Sequence, residues 1–328
     1  MKCLNEPVAM TALPDGRMLI LEKAGAIKLA DLQSNPPVVS NYMSIIDVDD
    51  FNQKGALSIA LDPDFENNGY FYVYYAKQSV DHLVVSRFTH QDSFADLLSE
   101  FIVWEDNIEL SGYEWHPGGA MDIGSDGSIY IGTGEHNQLP IQSQNLSSSA
   151  GKILRVMTDG TVPTDNPFYD GAGPNVDSIW AYGFLNAFHA HLDETTGRLF
   201  IPDLGKNGVP DGIDEINLIE AGYNYGWPDN VGITGQPTLE DPIYTHPRIS
   251  DNSAFPGSIK GGLVYRGNAF PSYLQGAYIF GDSVRGWIKY LKFDENGNPI
   301  DYEPLTPAMD AFPLIIGNIG ELVAMEQG

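Results

Sequence analysis

The chain has one cysteine, Cys3, which excludes an internal disulfide. It has no run of about 18 apolar residues, so no membrane-spanning helix is expected. Basic residues are scarce: 17 Lys and Arg stand against 44 Asp and Glu, a formal net charge of −27. Nucleic acids and anionic membrane surfaces are bound through Lys/Arg clusters, so neither is an expected partner. The carboxylate excess suits a solubilising surface, cation binding or a salty milieu, and the sequence does not choose among these. Apolar residues at helical spacing are nearly lacking; residues 92–100 are expected to give about one helical turn. No basic-then-apolar leader opens the chain.

What is abundant points to strands and turns. Glycine (35) and proline (22) are plentiful, and aromatics make up 11% of the residues. A unit recurs in which a glycine turn leads into a strand, a second turn and another strand. Its copies start at Pro14-Asp15-Gly16, Glu66-Asn67-Asn68-Gly69, Ser125-Asp126-Gly127, Glu194-Thr195-Thr196-Gly197, Leu274-Gln275-Gly276 and Asn318-Ile319-Gly320. Six copies in 328 residues average about 55 each, the size of a four-stranded blade. The expected fold is therefore all-β, a single six-bladed β-propeller of four-stranded blades over residues 1–328. Two β-sandwich domains are the alternative, but no linker divides the chain. Closure is expected to pair residues 321–325 with residues 17–21. Function is expected on the long loops 50–56, 111–119, 134–150, 183–191, 203–215 and 281–286.

Residues 115–135 read WHPGGAMDIGSDGSIYIGTGE. Asp126-Gly127 between apolar runs signals a hairpin, which puts His116 and Glu135 at strand ends on one rim. An imidazole and a carboxylate so placed suit proton transfer, or are a turn histidine with a capping glutamate. Gln53 and Asn186 fall on other loops and read equally as turn residues. His189 and His191 alternate with Ala190 and share one strand face, as a transition-metal pair would, without an evident third ligand. Asp211, Asp214 and Glu215 suit Ca²⁺ or an acidic solvated loop, at spacings unlike an EF-hand.

Several motifs occur together in order: Gln53-Lys54-Gly55-Ala56-Leu57, His116-Pro117-Gly118-Gly119, Gly151-Lys152-Ile153-Leu154-Arg155, Asp214-Glu215-Ile216-Asn217-Leu218 and Asn224-Tyr225-Gly226-Trp227-Pro228. With Gly261-Gly262-Leu263-Val264-Tyr265-Arg266-Gly267 they span nearly the whole chain. The ordered set resembles the soluble quinoprotein glucose dehydrogenases and aldose sugar dehydrogenases, the glucose/sorbosone dehydrogenase family. Phe280-Gly281-Asp282 also resembles the related Hedgehog-interacting-protein branch.

The resemblance implies a propeller holding pyrroloquinoline quinone (PQQ) over calcium, in a periplasmic or extracellular protein. His116 matches the catalytic base that takes the proton of a sugar C1 hydroxyl while hydride passes to the quinone. Glu135 falls where an acidic residue lies near that site. Gln53 and Asn186 match residues beside the cofactor. Asp214, Glu215 and the Tyr225 backbone fall on a calcium site, and Pro210 on the carbonyl pair under the cofactor's calcium. The chain departs from the family at Leu185, in place of an arginine, and at Val284, in place of a lysine that Arg285 could replace. Both departures remove cations that would meet the quinone's carboxylates. The implied partners are a sugar and an electron-acceptor protein. The other readings are a non-redox calcium propeller, such as a lactonase-like enzyme, and a carbohydrate- or protein-binding module.

Overall fold

The computed structural model describes residues 4–205, 212–248, 258–283, 287–295 and 297–304. Within them lie five antiparallel sheets, each of four consecutive strands. The first holds β1 (Pro7–Ala12), β2 (Met18–Glu22), β3 (Ala26–Asp31) and β4 (Val38–Ser44). The second holds β5 (Ala56–Leu61), β6 (Tyr70–Lys77), β7 (His82–Gln91) and β8 (Phe94–Glu105). The third holds β9 (Gly118–Ile123), β10 (Ser128–Thr133), β11 (Lys152–Met157) and β12 (Ile179–Tyr182). The fourth holds β13 (His191–Asp193), β14 (Arg198–Asp203), β15 (Ile213–Leu218) and β16 (Tyr244–Pro247). The fifth holds β17 (Ile259–Val264), β18 (Tyr278–Asp282), β19 (Ile288–Phe293) and β20 (Pro299–Pro304). The first strands touch in succession, β1 on β5, β5 on β9, β9 on β13 and β13 on β17. Together they line a cavity of about 430 Å³ on a common axis, which is a propeller-like arrangement.

The cores lie between neighbouring sheets. Strand β6 shows why its sequence is one apolar run rather than an alternation. Phe71, Val73 and Tyr75 pack with Leu19, Leu21 and Ile27 of the first sheet. Tyr72, Tyr74 and Ala76 point the other way, onto Met121, Ile129 and Ile131 of the third. A strand buried on both faces needs apolar residues at every position.

The strands legible in the sequence are the second and third of each sheet, where both faces are covered. The helical turn expected at 92–100 does not form, and the segment belongs to the outer strand β8. Asp92-Ser93 makes a tight turn and Gln91 pairs with Phe94. The reason is exposure: Phe94, Leu98 and Phe101 are 50%, 94% and 44% exposed, and Ala95 and Val103 alone of the strand are buried, too few to impose an alternation that can be read. Pairing with β7 sets the conformation. Helix is confined to single turns at Phe65–Asn68, Pro140–Gln144 and Ser272–Leu274 among the described residues. The expected pairing of 17–21 with 321–325 is also corrected in part. β2 is hydrogen-bonded on both edges, to β1 and β3, and has no edge left. Residues 318–325 lie outside the described residues.

Candidate functional site

Strands alternate in direction, so the starts of β5, β9 and β13 lie at the same end as the ends of β10 and β14. That end carries loops 45–55, 106–117, 134–151 and 183–190. His116 stands two residues before β9, and Glu135 two residues after β10. The hairpin joining those strands turns at Asp126-Gly127, where Gly127 has φ +82°. His116 Nδ1 lies 2.7 Å from a Glu135 carboxylate oxygen, with both side chains buried. The same oxygen accepts the Asn137 N–H at 3.0 Å, so the carboxylate is an acceptor there. Nδ1 therefore donates, and the lone pair is left on Nε2. Nε2 has no hydrogen-bond partner among the described residues, yet it is not among the atoms sealed from solvent.

Neighbouring loops hold this pair in place. The Gln53 side-chain oxygen accepts the His116 N–H at 2.9 Å. The Asn186 side-chain oxygen accepts the Gly118 N–H at 2.9 Å. Gly134 bridges to Asn186, and the Leu185 carbonyl accepts the Glu135 N–H at 2.9 Å. The backbone is strained here: His116, His136 and Asn137 have φ of +54°, +54° and +57°, and Asn52 has +52°. Residues other than glycine hold such values only where surrounding contacts impose them, a pattern common at functional sites. Thus His116, Glu135, Gln53 and Asn186 come together as the sequence suggested.

A second layer carries no sequence signal. Asp203, at the end of β14, accepts the N–H groups of Leu185 and Asn186 at 2.8 and 2.6 Å, and that of Leu204 at 2.9 Å. Burial pushes its carboxyl up to about 6, against these donors and the pull of the His116 ring. Its cross-strand partner is Glu215. Burial pushes Glu215 up to about 8, the nearby Asp203 and Asp214 adding to the rise and the Gly232 N–H and Asn217 opposing it. Lys152, in the sequence no more than part of a motif, is wholly buried. Its ammonium donates to the carbonyls of Gln142, Ser143 and Ala150 at 2.8, 3.1 and 2.6 Å. It thereby ties down the loop that begins with Glu135. Each of these partners lies far enough away in sequence, or in a loop irregular enough, to leave no periodic signal.

The calcium candidates are less convergent. Asp214 and Glu215 are consecutive on β15 and point to opposite faces. Asp214 accepts the Gly205 and Ile259 N–H groups at 2.9 and 3.0 Å and faces Arg248 at 3.5 Å. Glu215 accepts the Gly232 N–H. Tyr225 is anchored through its N–H to the Tyr182 carbonyl at 2.9 Å, and its ring stacks on Phe184. Among the described residues no group of three or more His, Cys, Asp or Glu converges as a metal cluster. The donor chemistry nevertheless fits a hard dication: buried carboxylates with raised pKa are relieved by such a charge, with carbonyls and water completing the shell. Leu185 is sealed at 2% exposure and offers no charge. Pro210, Asp211, Val284 and Arg285 lie outside the described residues. His189 and His191 line the axial cavity instead, where burial lowers them to about 3 and about 4. That cavity extends toward the far end, past Asp193 and Arg266, and does not include His116.

A propeller-like stack of four-stranded sheets, with a carboxylate-held histidine at one end of the axis, defines the class of fold. The pattern of the glucose/sorbosone dehydrogenases matches residues 4–311, and the chain belongs to that family. The chain is 30% identical to an uncharacterized protein of Synechocystis sp., over 91% of this chain and 76% of that one. It is 28% identical to the aldose sugar dehydrogenase YliI of Escherichia coli, over 69% of this chain and 59% of the relative. It is 30% identical to the quinoprotein glucose dehydrogenase B of Acinetobacter calcoaceticus, over 70% of this chain and 51% of the relative. The chain thus spans little more than half the length of the two dehydrogenases. Among solved structures, an oxidoreductase described as a glucose dehydrogenase from Thermus thermophilus superposes with a TM-score of 0.79 at 28% identity, covering 98% of this chain and 87% of that one. The PQQ-bound aldose sugar dehydrogenase of Streptomyces coelicolor superposes with a TM-score of 0.78, covering 99% of this chain and 86% of that one. At 22% identity that likeness speaks for the fold alone. No helix among the described residues is long and apolar enough to cross a membrane.

Proposed function

We propose that this chain is the propeller of a quinone-dependent aldose sugar dehydrogenase, six-bladed in its closed form, with His116 as the general base. The observation that carries this reading is the His116–Glu135 pair, with Nδ1 held at 2.7 Å and Nε2 without a hydrogen-bond partner among the described residues. Nε2 takes the proton of the sugar C1 hydroxyl, and Glu135 stabilises the imidazolium and keeps the ring in orientation. Gln53 and Asn186 hold His116 and Gly118, so the base meets its substrate without reorganising. Bound PQQ would accept the hydride that leaves C1. Arg285 is the residue assigned to its carboxylates and Pro210 to the calcium under it. For a second calcium Asp214, Glu215 and the Tyr225 carbonyl are the candidates, of which one ion would take Asp214 or Glu215, since the two face opposite sides of β15. A periplasmic or extracellular setting goes with this reading.

The test is to titrate the purified protein with PQQ and Ca²⁺, following the quinone absorbance, and then to assay dye reduction with a panel of aldoses. Saturable binding and aldose-dependent reduction, with the reduction abolished in His116→Ala, support the reading. Quinone binding that is absent at every calcium concentration sinks it and leaves the non-redox calcium propeller, to be assayed on lactones.

A further inference from the structure

We propose that the rim around His116 is a docking surface for a basic partner protein. Four apolar side chains stand out from it into solvent. Ile46 is 84% exposed, Ile141 65%, Phe51 57% and Trp115 46%. They belong to three loops that are locked together. The Gln53 N–H donates to the Glu114 carbonyl at 3.2 Å, and the Gln138 side-chain amide donates to the Gly112 carbonyl at 2.8 Å. The apolar tips therefore share one surface on rigid loops, rather than one mobile segment. Exposed apolar groups with a polar surround mark interaction sites.

The charge of this face says what covers it. Loops 45–55, 106–117, 134–151 and 183–190 contain seven Asp and Glu, of which Asp106 and Glu135 are buried, and a single basic residue, Lys54; half-buried Lys23, on the adjoining β2–β3 turn, is a second cation beside them. Lys54 is 7% exposed and paired with Asp49, so it presents no charge outward. Asp50 and Glu109 are exposed. A face of this sign repels anionic lipid and nucleic acid and draws cationic surfaces, with contacts that weaken in salt. Four exposed apolar side chains spread over three loops are more than a sugar bound at His116 would cover, which sets the occupant at the size of a protein. That this partner is the electron acceptor rests on the dehydrogenase reading; the docking itself does not.

The experiment measures binding of two probes by surface plasmon resonance, a basic c-type cytochrome and an acidic b-type cytochrome, at about 20 and about 200 mM NaCl. Anionic and zwitterionic vesicles are run beside them. The basic probe should bind, at least about tenfold more weakly in the higher salt. Trp115→Ser combined with Ile141→Ser should weaken it about fivefold or more, and Asp50→Asn combined with Glu109→Gln should weaken it most at low salt. Leu98→Ser combined with Glu66→Gln, away from the rim, should change it less than about twofold. The proposal is overturned if the rim variants bind like the wild type, if the control variant loses as much, or if the acidic probe or the vesicles bind as well. All substituted residues are exposed, and no quinone or sugar is present, so a failed dehydrogenase assay and a failed docking assay are separate results.

Discussion

The two ends of the sheet stack are built from different materials. At the far end most hairpin turns are short, although the connections 158–178 and 219–243 are long, and cations meet carboxylates or rings. Arg17 pairs with Asp15 at 2.6 Å, Arg155 with Asp165 at 3.0 Å and Arg266 with Asp193 at 2.5 Å. Arg155 lies over Trp180, and Arg198 over Phe293. At the His116 end six residues other than glycine have positive φ, and buried carboxyls are pushed up with no exposed cation in loops 45–55, 106–117, 134–151 or 183–190. One end is made of satisfied pairs, within a turn at Asp15–Arg17 and between sheets at Asp193–Arg266. The other stores strain and uncompensated charge, which a ligand can relieve.

The largest expected effect comes from removing the base. His116→Ala should lower kcat for aldose oxidation about 10²- to 10⁴-fold, measured with PQQ and Ca²⁺ present. A loss confined to KM would assign His116 to binding alone. Next in size is Lys152→Met, which strips the donor from three buried carbonyls and should destabilise by about 2–4 kcal/mol in urea unfolding. A variant as stable as the wild type would mean that those carbonyls find other donors.

Gly134→Ala is close behind. A Cβ there would overlap the His116 carbonyl oxygen and stand 2.8 Å from the Asn186 side-chain oxygen. The expected cost is about 1–3 kcal/mol, together with lost activity, because the clash moves the base. Retained activity would show that the rim is softer than drawn.

The buried acids make stability depend on pH in a direction that can be checked. Glu215 at about 8 and Asp203 at about 6 lie above their ordinary values of 4.5 and 3.8. Between those limits the native state holds more protons than the unfolded chain, so stability falls as pH rises from about 4 to about 8. Melting temperature should therefore be lower at about pH 8 than at about pH 5. Calcium should raise it more at the higher pH, and Glu215→Gln should flatten the slope. A melting temperature that rises with pH and ignores both calcium and EDTA would remove the cation from this site.

The smallest effect belongs to the far end. Arg266→Ala breaks the partly exposed pair with Asp193 and should cost about 0.5–1 kcal/mol with kcat unchanged. A fall in kcat would show that the two ends are coupled.

The sequence by itself determined the strand class, the turn-and-strand unit and the placing of His116 and Glu135 at strand ends joined by a hairpin; their hydrogen bond is the structure's. Asp-Gly turns and doubly buried central strands are local features, readable from spacing and composition. Edge strands such as β8 were not legible, because a strand with only two buried residues carries no clear alternation. The tertiary structure alone decided that Asp203 holds the backbone at Leu185 and Asn186, and that Lys152 pins the loop after Glu135. It alone separated Asp214 from Glu215, through the two-residue period of β15, and sent His189 and His191 into the axial cavity rather than to the rim. The physical reason is that hydrogen bonds and charge burial depend on which side of a strand a residue faces and on which distant loop lies opposite. Neither is set until the sheets pack around their axis.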